Sequence, residues 1–257
     1  MVNAANTAHL DAYRAFLYGR LQRKGFDLQD VQRLANRDRH VFAGLMLAHG
    51  HGDGLVTGAT RKSAHVMDLL GHVFDIGPAD GVVGVTAVLH KGRIVLIADT
   101  LVQEWPMERD LALIARRGAQ VARDFGLTPR VAFLSFSTFG HPVSERATKM
   151  HLAPKVLDEE GCDFEYEGEM TVDVALNPKA QEAYPFSRLT GPANVLVMPA
   201  RHSASISVKL MQEMAGATVI GPILAGADKP IQLCSTVSTA SDILNMAVMA
   251  AAQGERA

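Results

Sequence analysis

The chain has 257 residues, 48% of them hydrophobic, which is enough to bury one large core or two modest ones. A formal net charge of -2 and an isoelectric point near 6.5 argue against a general affinity for nucleic acid or anionic membrane. No apolar run reaches the roughly 18 residues that span a bilayer. Cys162 and Cys234 stand far apart behind no signal-like opening, so free thiols in a reducing, cytoplasmic compartment are expected.

Residues 1–7 are polar and expected to fray, followed by a helix over about 8–24. Tyr13, Phe16, Leu17 and Leu21 form its apolar stripe and Gly25 its stop. Residues 28–36 and 38–49 read as two further helices, the second capped by Asp38. In Gly50-His-Gly-Asp-Gly-Leu-Val-Thr-Gly58 the glycines permit sharp turns and close approach of a ligand. Thr57 and Thr60 precede a helix expected over about 61–70, whose first amides could hold an anion; an ordinary threonine-capped turn is the plain alternative.

The Val/Ile-rich runs 82–89 and 93–98 flank His90-Lys91-Gly92, a hairpin signal, so the sheet is not purely parallel. Behind Pro106 a helix is expected over 108–125, with Leu111, Ile114, Gly118, Val121 and Phe125 along one face. A buried strand over 130–136 leads into the hydroxyl-rich Ser135-Phe-Ser-Thr-Phe-Gly140 and then a helix from about Ser144 to Glu159. Glu165-Tyr-Glu-Gly-Glu169 and Asp173 collect carboxylates without metal-site spacing and read as a solvated strand edge. The scattered histidines suggest no zinc.

Between Gly191 and Asp242, strand-length runs at 194–198 and 218–224 alternate with an amphipathic helix carrying Ile206, Lys209, Leu210 and Glu213. That alternation is the mark of a βαβ unit, and ligands in such sheets bind where strands end, here at Ser, Thr, Gly and Pro. Thr239-Ala-Ser-Asp242 is a capping box for a last helix over 240–251, expected to bury Leu244, Ala247, Val248 and Ala251 against the N-terminal helices.

Gly191-Pro-Ala-Asn-Val-Leu-Val-Met-Pro199, Ile220-Gly-Pro-Ile-Leu-Ala-Gly226, Lys229-Pro230 and Ser241-Asp-Ile243 resemble the carboxyl half of phosphate acetyltransferases. A narrower resemblance, to the phosphate-acetyltransferase-like C-terminal domain of bacterial NADP-dependent hybrid malic enzymes, rests on several further motifs. These are Tyr18-Gly-Arg-Leu-Gln-Arg-Lys-Gly25, Asp38-Arg-His-Val-Phe-Ala43, Gly52-Asp-Gly-Leu-Val-Thr-Gly-Ala-Thr-Arg61, Phe136-Ser-Thr-Phe-Gly-His-Pro142 and Asp163-Phe-Glu-Tyr-Glu-Gly-Glu169. The resemblance covers nearly the whole chain. It implies two three-layer αβα subdomains with mostly parallel sheets, as in the isocitrate and isopropylmalate dehydrogenases. The first would comprise 1–72 plus 222–257, the second, inserted, 73–221. Relatives carry a further strand and helix ahead of Met1, so the chain is expected to be part of a longer polypeptide.

In the family an Asp-Leu-Ser-Arg-Gly loop supplies a serine and an arginine, a helix arginine helps hold phosphate, and a later aspartate is the base candidate. Aligned from Lys229-Pro230, Ser235 and Asp242 are retained as vestigial catalytic positions, whereas the loop arginine becomes Thr236 and the helix arginine Glu213. A lysine after Phe-Ser-Thr becomes Phe139. For Asp242 the capping box is a sufficient explanation by itself. Losing a bidentate cation and adding an anion weakens phosphate binding. The resemblance therefore implies an acetyl-CoA-sensing regulatory and dimer-forming module of a malic enzyme, with NADP and divalent-metal sites outside this chain. Expected ligand contacts are Thr57, Arg61, Ser137, Thr138, Asn194 and Ser235. Alternatives are a working phosphate acetyltransferase, rescued by Arg61, Arg188 or Arg201, and an oligomerisation domain without ligand.

Overall fold

A computed structural model describes residues 7–142 and 145–255; the polar residues 1–6 and the expected helix start at Ser144 lie outside them. The chain forms two compact units, Met1–Val82 with Ala227–Ala257, and Val83–Gly226.

The first unit begins with three helices, α1 (Leu10–Leu21), α2 (Leu28–Arg37) and α3 (Arg39–Ala48). Tyr13, Leu17 and Leu21, one turn apart on α1, are fully buried against Val31, Ala35, Val41 and Leu45. Burying each large side chain contributes about 1.5–3 kcal/mol. A 3-10 turn ends at Gly25 with φ 90, a left-handed conformation glycine adopts without penalty. Asp27 caps α2 in a box with Asp30, and Asp38 caps α3 by accepting from the His40 and Val41 amides. Strand β1 (Leu55–Gly58) precedes α4 (Ser63–Leu70), which starts two residues later than expected, so Arg61 sits in the turn ahead of it.

The second unit opens with the hairpin β2 (Val83–His90) and β3 (Arg93–Ala98), closed by Lys91 and Gly92 at φ 48 and 74. Two left-handed residues match the twist of the strands. Then follow α5 (Glu108–Asp124), β4 (Arg130–Leu134), α6 (Glu145–Glu160), β5 (Glu165–Met170), α7 (Val172–Leu176), α8 (Pro178–Gln181), β6 (Val195–Val197), α9 (Arg201–Ala215) and β7 (Thr218–Ala225). The six-stranded sheet has the order β5-β4-β6-β3-β2-β7, with β2 running opposite to the other five strands. Helices α5 and α6 cover one face, α7 and α9 the other, giving three layers. Gly118 lets α5 approach closely, since a Cβ there would stand 2.6 Å from Val195 Cγ1.

The chain returns to the first unit with β8 (Ile231–Cys234), paired parallel to β1, and ends in α10 (Ala240–Gly254), capped by Thr239 and Asp242.

Three expectations need correction. The βαβ unit exists, but β3 and β2 lie between β6 and β7, and α9 buries Ala204 and Val208 while Ile206 and Leu210 are 59% and 56% exposed. Helix α10 buries Met246 and Ala250 on β1 and β8, leaving Leu244 and Val248 64% and 58% exposed. Both helices carry apolar side chains on more than one side, so periodicity cannot fix their rotation. Finally, Glu167 and Glu169 of β5 are buried at 6% and 1% exposure. They are internal because a guanidinium and a hydrogen-bonding loop await them.

Candidate functional site

In the first unit, β1 and β8 end side by side. Thr57 pairs with Leu233 and Gly58 with Cys234, and the Ala59 amide donates to the Cys234 carbonyl at 3.1 Å. Gly58 has φ 111, and a Cβ there would collide with that carbonyl, so the close approach demands glycine. Thr60-Arg61-Lys62 and Ser235-Thr236-Val237 therefore leave the sheet from the same end.

Arg61 is exposed and, among the described residues, reaches only His65 Nε2, at 3.4 Å. Ser235 is exposed, its hydroxyl accepting from the Val237 amide at 3.3 Å. Cys234 is buried, which raises its thiol pKa, and the nearby Asp242 charge pushes it the same way. Asp242 accepts from both the amide and the hydroxyl of Thr239, each at 2.8 Å. That double hydrogen bond engages the carboxylate in closing α10.

Sequence reasoning overlooked His40. It is 1% exposed, its Nδ1 lies 2.7 Å from Thr57 Oγ1, and its Nε2 is buried without a hydrogen-bond partner among the described residues. Burial holds its pKa down against the pull of Asp38, with Arg61, Arg39 and His65 adding to the lowering. A buried neutral imidazole thus braces Thr57. The only hint in the sequence was its place in Asp38-Arg-His-Val-Phe-Ala43.

The second unit holds the other predicted contacts. Ser137 is fully buried and donates to Glu169 Oε1 at 3.0 Å. Thr138 Oγ1 bonds the Thr171 hydroxyl at 3.3 Å and accepts from the Thr171 amide at 3.2 Å. Asn194 lies at the amino end of β6, away from the ends where ligands collect in such sheets. Its carboxamide accepts from the Arg130 amide and donates to the Thr128 carbonyl, both at 2.8 Å, so it ties the start of β6 to β4.

Of the cations considered as rescuers, Arg188 is held by Glu167 and by Asp158, and Arg201 reaches the Leu101 carbonyl and Glu104. Lys149 donates to the carbonyls of Pro106 and Pro199 at 3.0 and 2.8 Å, and burial lowers its pKa. A cleft of about 1550 Å³ opens on one face of this unit. Val95, Ile97, Leu196, Leu210 and Met211 line it, with Trp105, Met107 and Phe136 exposed beside it. Among the described residues, no three His, Cys, Asp or Glu side chains converge on a point that could hold a metal, and no Gly-x-Gly-x-x-Gly follows a strand. Among the described residues no helix is long and apolar enough to cross a membrane.

The family model for phosphate acetyl/butaryl transferase matches residues 1–251. The chain belongs to this family. It is 51% identical over 251 residues to an NADP-dependent malic enzyme of Rhizobium meliloti (strain 1021), covering 98% of this chain and 33% of that one. To a phosphate acetyltransferase of Bacillus subtilis (strain 168) it is 33% identical over 236 residues, 90% of this chain and 72% of that one. A crystal structure of a phosphotransacetylase from Streptococcus pyogenes superposes with a TM-score of 0.90 at 28% identity, covering all of this chain and 78% of the other. The chain spans about a third of the length of the malic enzymes it matches. For a family of this name, the paired ends of β1 and β8 carry an exposed serine and arginine but a threonine and a valine directly after that serine.

Proposed function

We propose that this chain is the acetyl-CoA-sensing and assembly-forming part of an NADP-dependent malic enzyme, built on a transferase centre that no longer turns over. The observation that carries this reading is the state of the β1–β8 end. Asp242, the base candidate, is engaged by Thr239, and Thr236 stands where the resemblance expects a bidentate cation. Glycine, hydroxyl and Arg61 groups persist there, suited to holding a thioester coenzyme without supplying a base. Acetyl-CoA would then regulate malate decarboxylation by favouring one of two assembly states. The nicotinamide, metal and malate sites belong, in this reading, to a portion of such an enzyme outside this chain.

Assembly as a homodimer or a higher multiple is supported by the apolar cleft of the second unit and by the exposed Ile206, Leu210 and Met214 on α9. A second reading, a working phosphate acetyltransferase, is favoured by one observation: Arg61 leaves β1 at the end where Ser235 leaves β8.

Calorimetric titration with acetyl-CoA, run beside an assay of acetyl-CoA formation from acetyl phosphate and coenzyme A, separates the two. Binding without turnover is expected. Turnover at ordinary enzymatic rates would overturn the sensor, and a null titration would leave only assembly.

A further inference from the structure

The face of the six-stranded sheet that carries the cleft is covered unevenly. Helix α7 packs on β4 and α9 on β2, β3 and β7, so the central strand β6 is flanked rather than covered. Its Leu196 and Met198, with Val88, Ile97 and Leu134 of other strands, line the cleft as an apolar floor. From Arg93 at the exposed rim to Ala98, whose carbonyl accepts from the Met198 amide, β3 spans roughly 16 Å at the ordinary strand rise. The ionisable side chains among the described residues that line the cleft are His90, Arg93, Lys149 and His202; no carboxylate is among them. His202 has Glu104 at 4.0 Å. Lys149 reaches the carboxyl end of β6 and gives two of its three N–H bonds to the Pro106 and Pro199 carbonyls. Among the described residues no carboxylate lies within ion-pair distance of it, and burial holds its pKa below the usual lysine value.

We propose that this cleft takes a single-chain aliphatic carboxylate of the fatty-acid type, its chain laid along β6 and its head on the remaining N–H of Lys149. Charge complementarity selects the occupant. Basic groups and no acid line an otherwise apolar trough, so an anion on an apolar body gains from both of its parts, whereas a cation meets repulsion. One remaining N–H suits a singly charged carboxylate better than a phosphate, which calls for several donors. The carboxylate also supplies the counter-charge that Lys149 lacks among the described residues. The site lies wholly within the second unit and is independent of acyl-CoA at the β1–β8 end. Ile206 and Met214 do not line the cleft, so filling it leaves them exposed for assembly.

Trp105 is the single tryptophan of the chain and lines the cleft, so its fluorescence reports occupancy. Dodecanoate, dodecanol and dodecylammonium, each below its micelle concentration, are titrated into the 257-residue chain. A saturable change with dodecanoate is expected, with dodecanol about tenfold weaker, the loss of one charge-assisted hydrogen bond, and dodecylammonium weaker still. Lys149→Met should weaken dodecanoate about tenfold and leave dodecanol unchanged. Because Lys149 also ties two turns, Ser207→Phe serves as a second variant; it narrows the cleft from α9, spares that tie, and should weaken dodecanoate and dodecanol alike. Equal affinity of the parent for all three probes would overturn the proposal, as would unchanged dodecanoate affinity in either folded variant. A response confined to concentrations above the micelle point would overturn it too. So would a parent dimer, seen by sedimentation, that takes up dodecanoate only on dissociating, since a second copy would then be the occupant.

Discussion

The two units end their parallel strands in opposite ways. At the β4–β5 end, Glu169 gathers Ser137, Gly140 and His151, and Glu167 gathers Arg188, all partners at least 18 residues distant in sequence apart from one backbone neighbour. At the β1–β8 end the exposed groups bond within four residues, as in Ser235 with Val237, Thr239 with Asp242, and Arg61 with His65. Thr57, anchored by His40, is the exception. Long-range satisfaction consolidates a fold, whereas local satisfaction leaves side chains that a ligand can recruit at little structural cost. Substitutions in the second unit should therefore act on stability, and those in the first more on binding.

The sharpest break in this contrast is Glu169→Ala, which strands the buried Ser137 hydroxyl and takes a partner from the Gly140 amide and the half-exposed His151 imidazole. A loss of about 3 kcal/mol or more is expected in urea unfolding. A loss below about 1 kcal/mol would mean that the network holds little. Gly58→Ala adds a Cβ at φ 111 against the Cys234 carbonyl and should cost about 2 kcal/mol by the same measurement. Thr239→Ala removes the α10 cap and should cost about 1 kcal/mol, with no gain of transferase activity. If freeing Asp242 restored acetyl transfer from acetyl phosphate, the cap would be the lock on a competent base.

The smallest effects are in pH. Burial depresses the His40 pKa, so the unfolded chain takes up a proton that the folded chain refuses. That contribution is present above the unfolded value of about 6.5 and is lost as pH falls below it. His40→Phe should flatten this part of the stability profile between pH 7 and 5, seen in unfolding midpoints. In the second unit burial and the hydrogen bond to Asp158 push the Tyr166 phenol up to about 12. Its stabilisation is complete below about 10 and disappears as pH climbs through the folded value. Tyr166→Phe should remove the last-titrating phenol from an ultraviolet titration.

Much of the fold was legible because its signals are local. Lys91-Gly92 specified a two-residue hairpin turn, and Asp38 and Thr239 announced helix starts. The inward faces of α9 and α10 were not legible, since Ile206, Leu210, Leu244 and Val248 compete with smaller residues that sit closer to the sheets. In the site, Gly58, Ser235 and the capping role of Asp242 could be read from neighbours in sequence. His40, His151 and the buried Glu167 and Glu169 could not. Their partners lie between 17 and 32 residues away, a distance that no periodicity encodes.

The six-stranded sheet has two outer strands, and each is blunted against pairing with another molecule. β5 engages the Arg188 and Thr190 amides through the side chains of Glu167 and Glu165, and β7 carries Pro222, which has no amide hydrogen to donate. Copies of this chain can meet through side-chain surfaces, while backbone-to-backbone polymerisation into fibres is disfavoured at both margins.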